Sequence, residues 1–158
     1  MEPLEAHCHS LVLSRYKRFA KEKRVMQPTF TDVLKPLFKY LGMAPSVSGH
    51  EEAFELMLRS QRSIELHNYP LGTLTLSSSL PFEVAPKDAG KVLLELLQAN
   101  VMNPLSPPVV IAANSVGDQI VLWARVAWEG LTPDQLISLY ERFAHYTETV
   151  NKRLAVSA

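Results

Sequence analysis

The chain of 158 residues contains a single cysteine, Cys8, so it cannot form an internal disulfide. Proteins without disulfides are typical of reducing compartments. The chain also lacks an apolar run of transmembrane length and a secretory signal with a small-residue cleavage site. We therefore expect a cytoplasmic protein with no stable membrane insertion.

Catalytic and metal-binding motifs are absent as well. Glycine is scarce, with six residues, and none of them forms a nucleotide-binding loop. The chain has no HExxH, GxSxG or CxxC motif. His7, Cys8 and His9 are suitable zinc ligands, but zinc takes about four ligands, and the remaining histidines lack ligand spacing. The sequence therefore predicts no catalytic residue, no metal and no cofactor.

Charge of one sign is not in excess, because Lys+Arg and Asp+Glu both count 16. The distribution is uneven, however: residues 1–25 have a net charge of +3, which leaves −3 for the remainder. Since a duplex-binding surface carries a basic face, we expect no nucleic-acid partner for the body. Val12, Tyr16 and Phe19 predict a short amphipathic helix in the basic segment. It either docks an acidic partner, membrane headgroups or nucleic acid, or leans on the body through its apolar stripe.

Residues 88–102 predict a helix with apolar side chains on two faces. Asp88 supplies the start, and the proline after Asn103 supplies the stop. The first apolar stripe consists of Ala89, Val92, Leu93 and Leu96. The second stripe consists of Gly90, Leu94, Leu97 and Val101. A small domain needs one stripe for its own core, so the second predicts a dimer interface, unless the helix lies in the middle of its own domain.

The elements around this helix follow from periodicity and turn residues. A helix is expected from Thr31 or Asp32 to Leu41, or from Lys35 if Pro36 has to lie in the first turn. Apolar and polar residues alternate in residues 54–58, 64–67 and 73–77, which predicts three strands, with residues 80–82 leaving the sheet. Residues 109–113 and 119–127 predict a second hairpin.

The last helix has a capping box, in which Thr132 is the cap, Pro133 the first helical residue and Gln135 the partner of the cap. Its apolar face continues to Leu154. The order α-β-β-β-α-β-β-α predicts an α+β fold, with a twisted antiparallel sheet of about five strands and three helices. We expect residues 30–158 to form this single domain and residues 1–29 to form a basic N-terminal extension.

The last predicted strand has bulky apolar residues on both faces. Val121 and Trp123 lie on the face opposite Ile120 and Leu122. A solvated sheet surface does not need two such residues. They predict a dimer contact or a ligand surface, or else a face that a loop or the N-terminal segment covers.

Four segments carry a resemblance to a known family. They are FTDVLKPLFKYLGM (30–43), LLELLQAN (93–100), QIVLWARV (119–126) and LTPDQLISLYERF (131–143). In their order and spacing they resemble the class I type III secretion chaperones, the Tir chaperone family of Gram-negative bacteria. The first thirty residues are an extension to that pattern.

The resemblance implies a homodimer that binds the N-terminal region of secreted effector proteins in a non-globular state and delivers them for export. It implies no catalysis, because a separate secretion ATPase would release the cargo. The effector-binding residues are expected on the first helix and on the outer sheet surface: Leu34, Phe38, Leu41, Val121 and Trp123. Two other classes stay open: a dimeric α+β module that binds a small ligand in a regulatory or enzymatic role, and nucleic-acid binding through the N-terminal segment.

Overall fold

The computed structural model describes residues 26–44, 49–101 and 103–158. The elements are α1 (Phe30–Tyr40), β1 (Ala53–Met57), β2 (Ser63–Asn68), β3 (Thr73–Pro81), α2 (Pro86–Val101), β4 (Val110–Ala113), β5 (Gln119–Ala127) and α3 (Pro133–Val156). This order confirms the predicted α-β-β-β-α-β-β-α arrangement and the α+β class. The predicted amphipathic helix and the His7–His9 cluster lie outside the described residues.

The five strands form one antiparallel sheet in the order β1-β2-β3-β5-β4. Its longest pairing joins β3 and β5, from Thr73 opposite Ala127 to Pro81 opposite Gln119. The sequence predicted that residues 80–82 leave the sheet, and this was wrong for the first two. Pro81 is the last residue of β3 and remains in the sheet opposite Gln119.

The core lies on one face of the sheet. Alternate residues of β3 and β5, among them Leu74, Leu76, Ile120 and Leu122, are buried on this inner face. The helices bury side chains in the same cluster, including Phe143 of α3. Burial of one leucine or phenylalanine side chain contributes roughly 1.5–3 kcal/mol. The inner face therefore supplies most of the apolar burial that holds the helices to the sheet.

Helix α1 begins earlier than predicted because Thr29 caps it. The Thr29 hydroxyl accepts from the Asp32 N–H at 3.2 Å, and the Asp32 carboxylate accepts from the Thr29 N–H at 3.0 Å. The Lys35 ammonium beside Asp32, together with the Thr29 donors, holds the pKa of that carboxyl below its usual value. Pro36 lies inside the helix, so the alternative start at Lys35 was wrong. The reciprocal cap fixes the start of the helix upstream of the proline.

Helix α3 begins as the sequence predicted. The Thr132 hydroxyl accepts from the Gln135 N–H at 3.2 Å, and the Gln135 side chain accepts from the Thr132 N–H at 3.0 Å. One face of the helix is buried along its whole length, at Leu136, Leu139, Tyr140, Phe143, Thr147, Val150 and Leu154. Within the described part of the chain, no helix is long and apolar enough to cross a membrane.

Candidate interaction surfaces

Helix α2 separates its two apolar stripes as the sequence predicted. Val92 and Leu96 of the first stripe are 1% and 6% exposed and belong to the core. In the second stripe, Leu94 is 58%, Leu97 55% and Val101 86% exposed. The alternative, a helix in the middle of its own domain, was therefore wrong. The second stripe is an apolar surface that the chain itself leaves uncovered.

Gly90, also in the second stripe, has no packing role within the described chain. A β-carbon built at Gly90 meets no atom within 4 Å. Glycine in a helix costs about 1 kcal/mol relative to alanine, and nothing nearby in the described residues explains that cost. A residue without a side chain on an exposed stripe allows another backbone to approach closely.

The outer face of the sheet has a short apolar strip, which we call the outer-face strip. Its members are Val110 and Ala112 on β4 and Val121 and Trp123 on β5, all half-buried. Val110 lies opposite Trp123, and Ala112 lies opposite Val121. Side chains in such directly opposed positions are in contact across the strands.

Arg125 borders this strip on β5. Its guanidinium carbon lies 5.0 Å from the centre of the Trp123 ring, which is a cation–π arrangement. The Arg125 Nε donates to the Thr75 hydroxyl at 3.0 Å. The tryptophan is thus oriented by its neighbours while part of its surface stays accessible.

The first helix does not present the predicted binding residues. Leu34 and Phe38 are 0% and 2% exposed, and the Phe38 ring packs against Phe54 with the ring centroids 4.9 Å apart. These two predicted effector-binding residues are therefore corrected to core residues. Periodicity identified the apolar face of α1, but it could not tell that α3 and the sheet, and not a partner, cover that face. Leu41, the third predicted residue, is half-buried.

Leu41 lines a surface cavity between the end of α1, β1 and α3. The cavity has a volume of about 550 Å³, and its other lining residues are Met57, Leu58, Arg59, Tyr140 and Glu148. Met57 is 62% exposed. The prediction from the sequence did not include Met57. Its signal was an apolar residue between Glu55 and Arg59, on the polar side of a predicted strand.

Tyr40 and Met43 extend the exposed apolar surface at the end of α1. The Tyr40 hydroxyl donates to the Glu141 carboxylate, and this hydrogen bond raises the pKa of Tyr40. The bond ties the end of α1 to α3 and leaves much of the Tyr40 ring exposed. Both residues were absent from the predicted site.

The two edges of the sheet differ in accessibility. At β4, the Asn100 side chain accepts from the Ile111 N–H at 2.8 Å and donates to the Ile111 carbonyl at 2.9 Å. The Asn103 side chain donates to the Val109 carbonyl at 2.8 Å. These bonds cover the β4 edge, which is one way in which proteins block edge-to-edge pairing. At the opposite edge, β1 pairs with β2 alone.

These features of the fold and surface define a class of protein. Among residues 26–44, 49–101 and 103–158, no group of three or more His, Cys, Asp or Glu side chains could hold a metal ion. Exposed apolar side chains lie on α2 and around Leu41, and half-buried ones form the strip on the outer face of the sheet. The fold and these surfaces are those of an α+β binding protein.

A family model shows to which family the chain belongs. The model of the Tir chaperone protein (CesT) family matches residues 32–150. The chain belongs to this family, as its resemblance to the class I type III secretion chaperones implied. No curated protein matches the chain in sequence.

Solved structures share the fold at low sequence identity. The ExoT–SpcS complex from Pseudomonas aeruginosa aligns with a TM-score of 0.61 and 16% identity, over 78% of this chain and 98% of that chain. The Yersinia pestis secretion chaperone SycH, in complex with a fragment of YscM2, aligns with a TM-score of 0.60 and 16% identity, over 77% and 99%. YbjN from E. coli, named as a candidate transcription regulator, aligns with a TM-score of 0.55 and 15% identity, over 79% and 90%. At these identities the alignments show the fold alone.

Proposed function

We propose that this chain is a class I type III secretion chaperone that binds the N-terminal region of a secreted effector in a non-globular state and delivers it for export. The observation that carries the proposal is that apolar side chains remain accessible on the surface, in addition to those buried in the core. They include those of the outer-face strip and of the exposed residues around Leu41, among them Met57. Membership of the Tir chaperone family supports the same function.

An extended effector segment has a route onto this fold. A strand added beside β1 would form backbone hydrogen bonds at the one sheet edge that no described strand or asparagine side chain covers. Successive side chains of an added strand point to opposite faces of the sheet. Those on one face would lie near Met57, and the segment could continue into the cavity beside Leu41.

Several weak contacts have to act together in this binding. Ordering an unfolded segment costs about 2–5 kcal/mol or more, so one cavity does not suffice. We propose that two chains associate through the second stripe of α2, Gly90, Leu94, Leu97 and Val101. A homodimer supplies two copies of each effector surface and lengthens the path along which one effector can bind.

In this proposal the protein acts in the cytoplasm, by binding and not by catalysis. A secretion ATPase is its proposed partner for cargo release. The neighbouring SpcS and SycH structures are complexes with the proteins named ExoT and YscM2.

The decisive experiment is coexpression of the tagged chain with candidate effectors, followed by hydrogen exchange on the purified complex. We expect the effector to copurify and its amides to gain protection only where it contacts the chaperone. Trp123→Glu should weaken copurification, because a carboxylate would replace the aromatic surface of the outer-face strip. Val116→Glu, at an exposed position in the β4–β5 turn, is the matched control and should retain the effector.

Phe38→Glu does not test effector binding. It would place a carboxylate at a site that is 2% exposed, and an unpaired buried charge costs several kcal/mol. We expect this variant to lose its folded circular dichroism spectrum. Tight binding of an already folded partner, or copurification of a small metabolite in place of a protein, would contradict the chaperone function.

A further inference from the structure

A groove, here called the last-helix groove, lies between the first half of α3, the end of β5 and the loop that precedes β4. It encloses about 520 Å³, and its lining includes Pro107, Val126, Leu131, Asp134, Ser138 and Arg142. The floor is mainly apolar. Glu129 and Asp134 also line it, and both residues are exposed.

The charged side chains of this groove differ in whether they have a bonding partner. Arg142 is held in place, since its Nη2 donates to the Ser106 carbonyl at 3.2 Å and its Nε donates to the Ser138 carbonyl at 3.3 Å. Glu129 and Asp134 form no salt bridge within the described ranges. The groove thus combines apolar walls with two carboxylates that are available to a cationic ligand.

Near the start of the described chain, Phe30 contacts a residue that lies between two lining residues of the groove, Ala127 and Glu129. The Phe30 ring packs against Trp128, with the ring centroids 6.0 Å apart, and Trp128 directly precedes Glu129. An extended chain covers roughly 3.3 Å per residue, so Phe19 could lie up to about 36 Å from Phe30. The groove extends for about 12 Å along α3, from Asp134 to Arg142, at 1.5 Å per residue. Residues 10–24 are therefore within reach of the whole groove.

The charge and pattern of that segment complement the groove. Residues 1–25 have a net charge of +3, and the rest of the chain has −3. Val12, Tyr16 and Phe19 recur at helical spacing among the basic residues. The family match begins at residue 32, so family membership assigns nothing to this segment.

We propose that residues 10–24 bind in the last-helix groove of the same chain. Tyr16 and Phe19 contact the apolar walls at Val126 and Leu131, and the neighbouring lysine and arginine side chains lie near Glu129 and Asp134. Binding within one chain is favoured because a short connection gives an effective concentration of about millimolar. The groove thereby acquires an intramolecular ligand, which goes beyond the proposed chaperone activity.

The only cysteine of the chain makes a direct test possible. A nitroxide attached to Cys8 of the full-length protein, labelled with nitrogen-15, requires no substitution. We expect the backbone amide signals of Gly130, Gln135 and Ser138 to lose most of their intensity, and to recover when the nitroxide is reduced. The amide of Glu83, which follows β3 near the first residue of β5 and so at the other end of that strand from the groove, should keep its intensity.

Charge-neutral variants test the electrostatic part of the proposal. The double substitution Glu129→Gln and Asp134→Asn should restore most of the lost intensity, as should high salt, because salt screens exposed charges. Glu83→Gln removes an exposed carboxylate away from the groove and is the matched control, which should leave the effect unchanged.

Two outcomes would overturn the proposal. One is groove amides that keep full intensity in the spin-labelled protein. The other concerns a mixture of spin-labelled nitrogen-14 protein with unlabelled nitrogen-15 Cys8→Ser protein. Loss of the groove signals in this mixture, in which only a second copy carries the nitroxide, would assign the segment to that copy and exclude binding within one chain.

Discussion

At the scale of single residues, one asparagine holds together the end of the sheet near Trp128. The Asn68 Oδ1 accepts from the Gly72 N–H at 2.9 Å and from the Trp128 indole N–H at 2.8 Å, and the Asn68 Nδ2 donates to the Glu52 carboxylate. A buried polar side chain is stable when its donors and acceptors are paired. Asn68 therefore positions Trp128, against which α1 packs through Phe30.

Thr147 on α3 differs from Asn68, because its buried polar group is not paired within the described residues. Its side chain is fully buried, and its hydroxyl has no hydrogen-bond partner among the residues that the structure describes. An unpaired buried hydroxyl costs about 1–3 kcal/mol. We predict that Thr147→Val raises the free energy of unfolding by about 1 kcal/mol, since valine has nearly the same shape without the polar group.

Urea denaturation measures this change. Thr149→Val is a suitable comparison on the same helix, because Thr149 is exposed and its hydroxyl donates to the His145 carbonyl at 2.8 Å. We expect that variant to change stability little or to lower it. A loss of stability in Thr147→Val would show that the hydroxyl is paired in solution.

At the scale of elements, α2 has two apolar surfaces that are separated around its axis, one buried and one exposed. One stripe and Asn100 attach the helix to the core and to the β4 edge. The second stripe is exposed. We predict that Leu97→Asp converts a dimer into a folded monomer or an aggregate, because an unpaired charge in an apolar contact costs several kcal/mol.

Light scattering on a size-exclusion column would check this prediction, with Gln98→Asp as a control. Gln98 is also exposed on α2, but it lies about 100° further round the helix than Leu97 and outside both stripes. The control variant should keep the mass of the parent. A parent protein that is already monomeric at high concentration would contradict the assignment of the second stripe to a dimer interface.

The elements and their order could be predicted because local signals define them. The capping box at Thr132, the alternation in β5 and the stop at Asn103-Pro104 all depend on neighbouring residues. What covers an apolar face depends on distant residues. For that reason α1 was predicted correctly as a helix, while Leu34 and Phe38 on its apolar face were wrongly assigned to the effector surface. The asparagine cover of the β4 edge left no signal in the local pattern.

At the scale of the whole molecule, the chain divides its apolar surface between stability and binding. The core cluster joins the inner face of the sheet with all three helices. The second stripe, the outer-face strip and the cavity at Leu41 lie outside that cluster or at its border. Changes on these surfaces should therefore alter association with little effect on folding, and changes in the core should do the reverse.

The N-terminal segment provides the last prediction, since it precedes the family match at residue 32. Deletion of residues 1–25 removes the proposed ligand of the last-helix groove and leaves every core residue that the structure describes. Burial of two aromatic side chains in an open groove is largely offset by the cost of ordering the segment, which leaves about 1 kcal/mol. We expect the thermal midpoint to fall by only about 2–4 °C and the oligomeric state to stay unchanged. Calorimetry and light scattering would measure both. A collapse of the folded state on deletion would instead make Val12, Tyr16 and Phe19 part of the core.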